Sequence, residues 1–300
     1  MQWVRDYKPN PEQERNYRTA LLITMGGNLA LAVAKGIVAY LSGSAALYAD
    51  AANSVSDVVY SVFMVLGLWA ALRPPDLSHP QGHSRYEPLV GLAVTASMAF
   101  AGFEAARNAI SRYTSGSLAA ITLDLPVLIL LASALIKVGM YYSINRISRR
   151  ILSPTLATTA RDNLSDVLSS LAAFIGILGS NFIHPLADPI AGLLVALWIF
   201  RNAFLAGREN LGFLTGRGAS RDEVEAFITA VETVPGVIKV HHIMTDYVGP
   251  RLMVDLHINV DGSKTLTESH QISDAVIQVL ESFPNVDRAY VHVEPHDWKD

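Results

Sequence analysis

Four oxygen-bearing side chains lie in otherwise apolar stretches and repeat at a helical spacing. Asn53 and Asp57 are four residues apart in one stretch, and Asp162 and Asp166 are four residues apart in another. On a helix this spacing stacks two side chains on one face, so two adjacent helices would direct all four groups to one point. Carboxylate and amide oxygens are the ligands that hard divalent cations prefer. The pattern therefore predicts a divalent-cation site.

The composition indicates that much of this chain lies in a membrane. Hydrophobic residues make up 51% of the 300 positions, and charged residues only 17%, compared with about 25% in soluble domains. The net charge of -4 gives no basis for nucleic-acid binding. Cysteine is absent, which excludes disulfides, thiolate nucleophiles and thiolate metal ligands.

Six stretches reach the roughly 20 apolar residues that a membrane-spanning helix needs. They are 19–41, 46–72, 88–111, 119–146, 155–179 and 186–207. Lys and Arg are concentrated in the tail 1–18 and in the loops after the second and fourth stretches, and they are absent from the loops 41–46 and 180–185. Since basic residues favour the cytoplasmic side, both termini are expected in the cytoplasm.

Helix geometry predicts that the two polar pairs lie at similar depths. Asp57 lies about 16 Å into the second stretch, and Asp162 and Asp166 lie about 10 and 16 Å into the fifth, within a core about 30 Å thick. With Arg161 as the only basic residue near these carboxylates, a divalent cation is the expected neutralising partner. Asp50 shares nearly the same helix face as Asp57, and it is expected to support the site from behind the ligands.

The alternative interpretation is a purely structural one, in which these polar groups only hold membrane helices together. That interpretation suits the serines of the two segments, Ser54, Ser56 and Ser165. It leaves the charge of three carboxylates unexplained, and the cation site is therefore the preferred interpretation.

Three segments together resemble the cation diffusion facilitator family of metal-exporting antiporters. They are Ala49 to Asp57, His79 to Glu87, and Asp162 to Asp166. The resemblance implies a homodimer that exchanges a cytoplasmic divalent metal for external protons by alternating access. It also implies a transport site made of Asn53, Asp57, Asp162 and Asp166.

The ligand types indicate the branch of the family. Zinc-transporting members usually carry His at one or more of the positions that Asn53 and Asp162 occupy, whereas this set is all oxygen and resembles the manganese-exporting branch. Mn²⁺ is therefore the expected ion, with Zn²⁺, Fe²⁺, Co²⁺ and Cd²⁺ as alternatives. The chain shows no transit peptide and no His-rich loop insertion, which favours the inner (plasma) membrane of a prokaryote.

The loop after the second stretch contains a second candidate metal site, formed by Asp76, His79 and His83. Zinc-transporting relatives have a loop site at matching positions. The alternative is a solvated turn, since Pro74, Pro75, Pro80 and Gly82 favour a rigid loop. Arg85 and Glu87, at the start of the third stretch, are interpreted as interfacial charges.

Residues 208–300 have the pattern of a small α/β domain. Helical periodicity covers Ser220 to Val234 and Leu266 to Ser282, and strand alternation covers Val237 to Thr245, Arg251 to Val260 and Val286 to Glu294. The order αββαβ resembles the ferredoxin-like cytoplasmic domain of the same family. The predicted fold class is therefore an α-helical membrane protein with six transmembrane helices followed by a cytoplasmic ferredoxin-like domain.

The resemblance also implies metal binding by this cytoplasmic domain. The family's positions correspond to His241, His257, His270, His292 and Glu294, and metal bound there would act as a regulatory ligand in the homodimer. The alternative is isolated, half-buried strand histidines. His242 has no counterpart that can be assigned.

Two other functional classes fit the sequence less well than a transporter. A membrane metalloenzyme would need a nucleophile or base beside an open metal position, and neither His-Glu-x-x-His nor Gly-x-Ser-x-Gly occurs. A membrane-anchored metal sensor would not need carboxylates at mid-depth. The chain is therefore expected to be a transporter and not an enzyme, with metal and protons as substrates, lipid as surroundings and no prosthetic group.

Overall fold

The chain folds into two compact units, Met1–Leu211 and Gly212–Asp300. The structure is a computed structural model, and it describes residues 4, 10–42, 45–115, 125–182, 184 and 186–297. Each unit has a hydrophobic core of its own.

Six long helices dominate the first unit, as the apolar stretches predict. They are α1 (Pro11–Ser42), α2 (Ala45–Ala71), α3 (Tyr86–Ser115), α4 (Leu125–Ile151), α5 (Pro154–Phe182) and α6 (Ala187–Leu214). Among the described residues, four helical segments are long and apolar enough to cross a membrane: Pro11–Leu41, Ser54–Ala71, Tyr86–Ser111 and Pro189–Leu214. Large apolar side chains such as Leu22, Phe63 and Leu197 point outwards and are 72%, 61% and 66% exposed, as lipid-facing residues are.

Helix α1 begins eight residues before the apolar stretch at 19–41. Asn10 caps it, because the Asn10 side-chain oxygen accepts the backbone N–H groups of Glu12 and Gln13 at 3.1 Å each. Pro11 then occupies the first helical position, where its missing N–H costs nothing. Hydropathy located the apolar, membrane-spanning part of this helix, but the capping residues determine where the helix begins.

Packing brings together the helices that carry the polar residues. Helix α1 packs against α2 and α4, α4 packs against α5, and α3 packs against both α2 and α5. Gly67 allows the close approach of α2 and α3, since a Cβ atom there would lie 1.9 Å from Val90 Cγ2. The polar faces of α2, α4 and α5 thus point into the same helix cluster.

The second unit has the predicted αββαβ order. Its elements are α7 (Arg221–Glu232), β1 (Lys239–Val248), β2 (Arg251–Val260), α8 (Leu266–Glu281) and β3 (Val286–Pro295). The sheet order is β1-β2-β3, with β1 antiparallel and β3 parallel to β2. Gly249, with φ of 68°, makes the tight turn between β1 and β2.

Strand β2 divides the second unit into a core side and an open side. Leu252, Val254, Leu256 and Ile258 are 0% exposed and form the core with the two helices. Because side chains alternate along a strand, His257 points to the opposite face. His257 and His292, its neighbour on β3, therefore lie on the side of the sheet away from its helices.

Candidate metal centre

The centre of the helical unit contains two of the predicted ligands and one basic residue. Lys137 of α4 places its Nζ atom 3.1 Å from Asp57 Oδ2 on α2 and 2.7 Å from Asp166 Oδ2 on α5. Its side chain is only 8% exposed. The carboxylates of Asp57 and Asp166 thus lie on either side of a single ammonium group.

Asp162 of α5 lines the same cavity as Asp57. The cavity is lined by Asp57 and Asp162, and by Thr24 and Asn28 of α1. Met64 of α2 also lines the cavity. Asp57 therefore adjoins both of the other predicted carboxylates, Asp166 across the Lys137 ammonium group and Asp162 within the lining of one cavity.

Hydrogen bonds order the wall of the cavity beside Asp57. The Ser61 hydroxyl donates to the Asp57 carbonyl at 2.8 Å, and the Asn28 amide nitrogen donates to Ser61 Oγ at 2.9 Å. These bonds tie α1 to α2 at the level of the candidate ligand.

Two further predicted residues of this site lie on helix α2. Asn53 and Asp50 both belong to helix α2, but their side chains lie outside the described residues. Asn53 as a ligand and Asp50 as a supporting group remain predictions from the sequence.

The expectation that Arg161 is the only basic residue near the carboxylates is wrong. Arg161 Nη1 lies 2.7 Å from Glu209 Oε2 on α6 and is thereby engaged outside the site. Lys137 is in contact with the carboxylates instead, and Lys35 of α1, also buried, acts on Asp57 electrostatically.

A sequence signal for Lys137 existed. It lies about 18 Å along α4 from Leu125, near the middle of the helix. The rule that an intramembrane charge marks a functional site applies to basic residues as it does to acidic ones.

The loop candidates Asp76, His79 and His83 form one cluster, with a ligand atom from each within 4.8 Å of the others. His83 is buried, and its Nδ1 lies 3.1 Å from the Pro74 carbonyl. Since a carbonyl can only accept, Nδ1 donates to it, and Nε2, 3.5 Å from Asp76 Oδ2, is the ring nitrogen that faces the cluster. Backbone N–H groups of His79 and Ser78 donate to Asp76 and hold the pKa of this carboxyl below its usual value.

The cytoplasmic candidates meet at Glu294 on the open face of the sheet. The Glu294 carboxylate lies 3.0 Å from His241 Nε2, 3.3 Å from His257 Nδ1 and 3.3 Å from His292 Nε2. His257 pairs with His292 across β2 and β3, and a β-bulge after Val240 reorients the start of β1. Among the described residues, His241, His257 and Glu294 have ligand atoms close enough to share one ion.

Two histidines of this unit differ from the sequence-based expectation. His270 lies on α8, is 74% exposed and faces Asp274 at 3.6 Å, so within one protomer it is not part of the cluster at Glu294. The unassigned His242 does adjoin the cluster, with its ring centroid 4.9 Å from that of His257. Strand alternation alone could not place it there, because the bulge shifts the register of β1.

Glu87 is a buried group, and its interpretation as an interfacial charge is wrong. It is 3% exposed, and its carboxylate accepts hydrogen bonds from the hydroxyls of Tyr17 at 2.6 Å and Ser153. The Thr155 hydroxyl donates to the Glu87 main-chain carbonyl. This network joins α1, α3 and the start of α5 at one end of the helical unit.

The chain matches the family models of the cation efflux transmembrane domain over residues 21–215 and of the cation efflux protein cytoplasmic domain over residues 219–296. It is 34% identical to an uncharacterized transporter of Methanocaldococcus jannaschii, covering 93% of this chain and 99% of that protein. It is 29% identical to the manganese efflux system protein MneS of Bacillus subtilis, covering 93% and 95%.

The solved structures include the cytoplasmic domain of MamM, 31% identical, which covers 26% of this chain and all of that chain with a TM-score of 0.24. The first family model alone covers more than half of the chain, and the order of a helical unit followed by an αββαβ domain agrees with the two models. The chain belongs to the cation efflux family of multi-pass membrane transporters that move divalent metal cations.

Proposed function

We propose that this transporter exports Mn²⁺ from the cytoplasm in exchange for protons, with Asn53, Asp57, Asp162 and Asp166 as the transport site. The observation that carries the proposal is the position of Asp57, which lies beside Asp166 across the Lys137 ammonium group and shares the lining of one cavity with Asp162. Carboxylate oxygens suit Mn²⁺, whereas imidazole ligands suit Zn²⁺. The likeness to a manganese efflux protein supports the same ion.

Proton coupling follows from the chemistry of these ligands. A carboxylate can hold either a proton or a share of the cation, so protons compete with the metal for Asp57, Asp162 and Asp166. Opening towards the outside would let protons displace the metal. Opening towards the cytoplasm would release the protons and admit the next ion.

The two other clusters have supporting roles in this proposal. Asp76, His79 and His83 bind a cation at the loop, and His241, His257, His292 and Glu294 bind a regulatory cation in the cytoplasmic domain. The matched family domain supports pairing of two such domains in a homodimer. The proposed location is the plasma membrane with both termini in the cytoplasm.

Flux measurements in proteoliposomes test the proposal. Mn²⁺, Zn²⁺, Fe²⁺ and Co²⁺ uptake would be compared under an imposed pH gradient, with an internal pH indicator to follow protons. Asp57→Ala should abolish transport, whereas Glu104→Ala, which removes a carboxylate that pairs with Arg107 on α3, should retain it.

Each outcome has a distinct meaning. Gradient-dependent Mn²⁺ flux with opposite proton movement supports both the ion and the coupling. If Zn²⁺ moved faster than Mn²⁺, the argument from oxygen ligands would be wrong. Metal flux without proton movement would overturn the antiport, and full activity of Asp57→Ala would overturn the site.

A further inference from the structure

Lys137 is the charged side chain that the carboxylates of the transport site share. It is buried, and its ammonium group lies within 3.1 Å of carboxylate oxygens on both α2 and α5. Lys is almost never fully buried without a charged partner. Its position between two candidate ligands gives it a direct influence on any cation bound there.

We propose that Lys137 is the built-in counter-cation of the transport site, and this rests on the proposed function above. Its ammonium group neutralises part of the negative charge of Asp57, Asp162 and Asp166. It thereby weakens the attraction for a cation and disfavours ions of higher charge. Transport requires an ion to bind well enough to enter the site and weakly enough to leave it.

Removal of the positive charge should strengthen cation binding and slow release. Lys137→Gln should lower the apparent KM for Mn²⁺ by at least about tenfold, because a unit charge a few ångströms away changes binding by more than the ~1.4 kcal/mol that tenfold represents. The maximal rate should fall as well. A purely structural role would lower the maximal rate and leave KM unchanged.

Two variants serve as controls. Lys137→Arg keeps the charge and should keep KM within about twofold of the wild type. Arg161→Gln also breaks an ion pair of α5, but it leaves the charge at the site unchanged and should not lower KM.

The absence of cysteine from the sequence permits a chemical test on one folded protein. Lys137→Cys contains a single thiol, which 2-bromoethylamine converts into a side chain that closely resembles lysine. Methyl methanethiosulfonate converts the same thiol into a neutral group of smaller size. Aminoethylation should return KM to the wild-type value, and the neutral modification should leave it low.

The results separate this inference from the proposed function. If the wild type transports Mn²⁺ and Asp57→Ala does not, the transport site holds. If Lys137→Gln, or the unmodified Lys137→Cys protein, then has the wild-type KM, the role of Lys137 as a counter-cation is refuted. If the wild type moves no metal, the proposed function itself fails.

A second inference rests on two buried acceptors of α1. Thr24 and Asn28 are 3% and 6% exposed, and Thr24 Oγ1 and Asn28 Oδ1 find no hydrogen-bond partner within the described part of the chain. The orientation of the amide is fixed, because the Ser61 hydroxyl is committed to the Asp57 carbonyl and Asn28 must donate to Ser61 Oγ. Both acceptors line the cavity beside Asp57 and Asp162.

We infer that Thr24 and Asn28 form a waiting position next to the transport site for a divalent cation that keeps only one or two of its water ligands, which also rests on the proposed function. The two residues are four apart, so their side chains lie on one face of α1. Water on a cation donates strong hydrogen bonds, which would satisfy these acceptors. An acceptor buried without a partner costs about 1–3 kcal/mol.

In Thr24→Val, a cation-binding role and a structural role predict different changes in KM and in the stability of the folded protein. Removal of an unsatisfied hydroxyl should stabilise the folded protein or leave it unchanged, but it should raise KM for Mn²⁺ about threefold to tenfold. Asn28→Leu should raise KM similarly. Asn210→Leu is the matched control, since Asn210 Oδ1 is also buried and unpartnered among the described residues but does not line the cavity.

Equal KM values in the wild type and Thr24→Val would overturn the waiting position. An equal rise in KM for Asn28→Leu and Asn210→Leu would do the same, because it would indicate a general effect on helix packing. Loss of flux in Asp57→Ala, with wild-type flux intact, confirms that the proposed function is being measured.

Discussion

The histidine cluster of the cytoplasmic unit supports a prediction with a calculable magnitude. Residues Gly212–Asp300 form a compact unit with a core of their own, so this fragment can be studied alone. Glu294 faces three imidazoles at 3.0 to 3.3 Å, which presents a nearly assembled set of ligands. We expect a divalent metal to bind there and to stabilise the folded fragment.

The size of the stabilisation follows from mass action. Metal at about a hundred times its Kd adds about 2.7 kcal/mol to the free energy of unfolding. For a domain of this size, each kcal/mol raises Tm by about 4–8 °C, so a rise of about 10–20 °C is expected. Zn²⁺ is the best probe because imidazole and carboxylate together suit it.

Two substitutions decide whether the predicted residues bind the metal. His257→Ala removes a central ligand and should abolish most of the rise in Tm, whereas His270→Ala removes an exposed histidine outside the cluster and should leave it intact. Differential scanning calorimetry with and without Zn²⁺ measures both. The reasoning would be refuted by equal rises in the wild type and His257→Ala, or by an equal loss in His270→Ala.

Three further predictions concern other parts of the chain. Asn53→His should increase Zn²⁺ flux relative to Mn²⁺ flux in proteoliposomes, because imidazole favours Zn²⁺; an unchanged ratio would contradict the ligand assignment. Tyr17→Phe should lower the free energy of unfolding by about 1.5–3 kcal/mol, because it removes a donor to the buried carboxylate of Glu87. Denaturation in detergent would measure this, with the exposed Tyr40→Phe on the same helix as the control. Glu268 caps α8, and the Thr265 backbone N–H holds the pKa of the Glu268 carboxyl below its usual value. Its charge therefore stabilises the fold above the unfolded-state pKa, and this contribution is lost as the pH falls through the lower folded-state value. The Tm difference between the wild-type fragment and Glu268→Gln should be present at neutral pH and vanish in strong acid.

The sequence was sufficient for much of the architecture because the relevant signals are local. The apolar stretches located six helices, and the Ser220 capping box marks the start of α7. Strand alternation located β2, the strand that contains His257. Each of these features depends on residues close together in the chain, where periodicity and capping are informative.

The sequence was less informative where distant segments meet. Asp57 and Lys137 are eighty positions apart and on different helices, and periodicity says nothing about which helices become neighbours. Glu87 shows the same difficulty. Its place at the start of a helix suggested exposure, but Tyr17 of α1 and Ser153, which directly precedes α5, enclose it.

Lys137 changes how the transport site must be understood. If three carboxylates had no fixed counter-charge, only a bound cation or protons could neutralise them, and the empty site would be costly in a membrane. A lysine held by Asp57 and Asp166 lowers that cost whether or not metal is bound. It also makes the free energy of metal binding less favourable. The same residue therefore favours the return of the metal-free carrier and the release of the ion. Lys137→Gln should consequently slow net Mn²⁺ transport more than Mn²⁺–Mn²⁺ exchange, since exchange does not require the metal-free carrier to return.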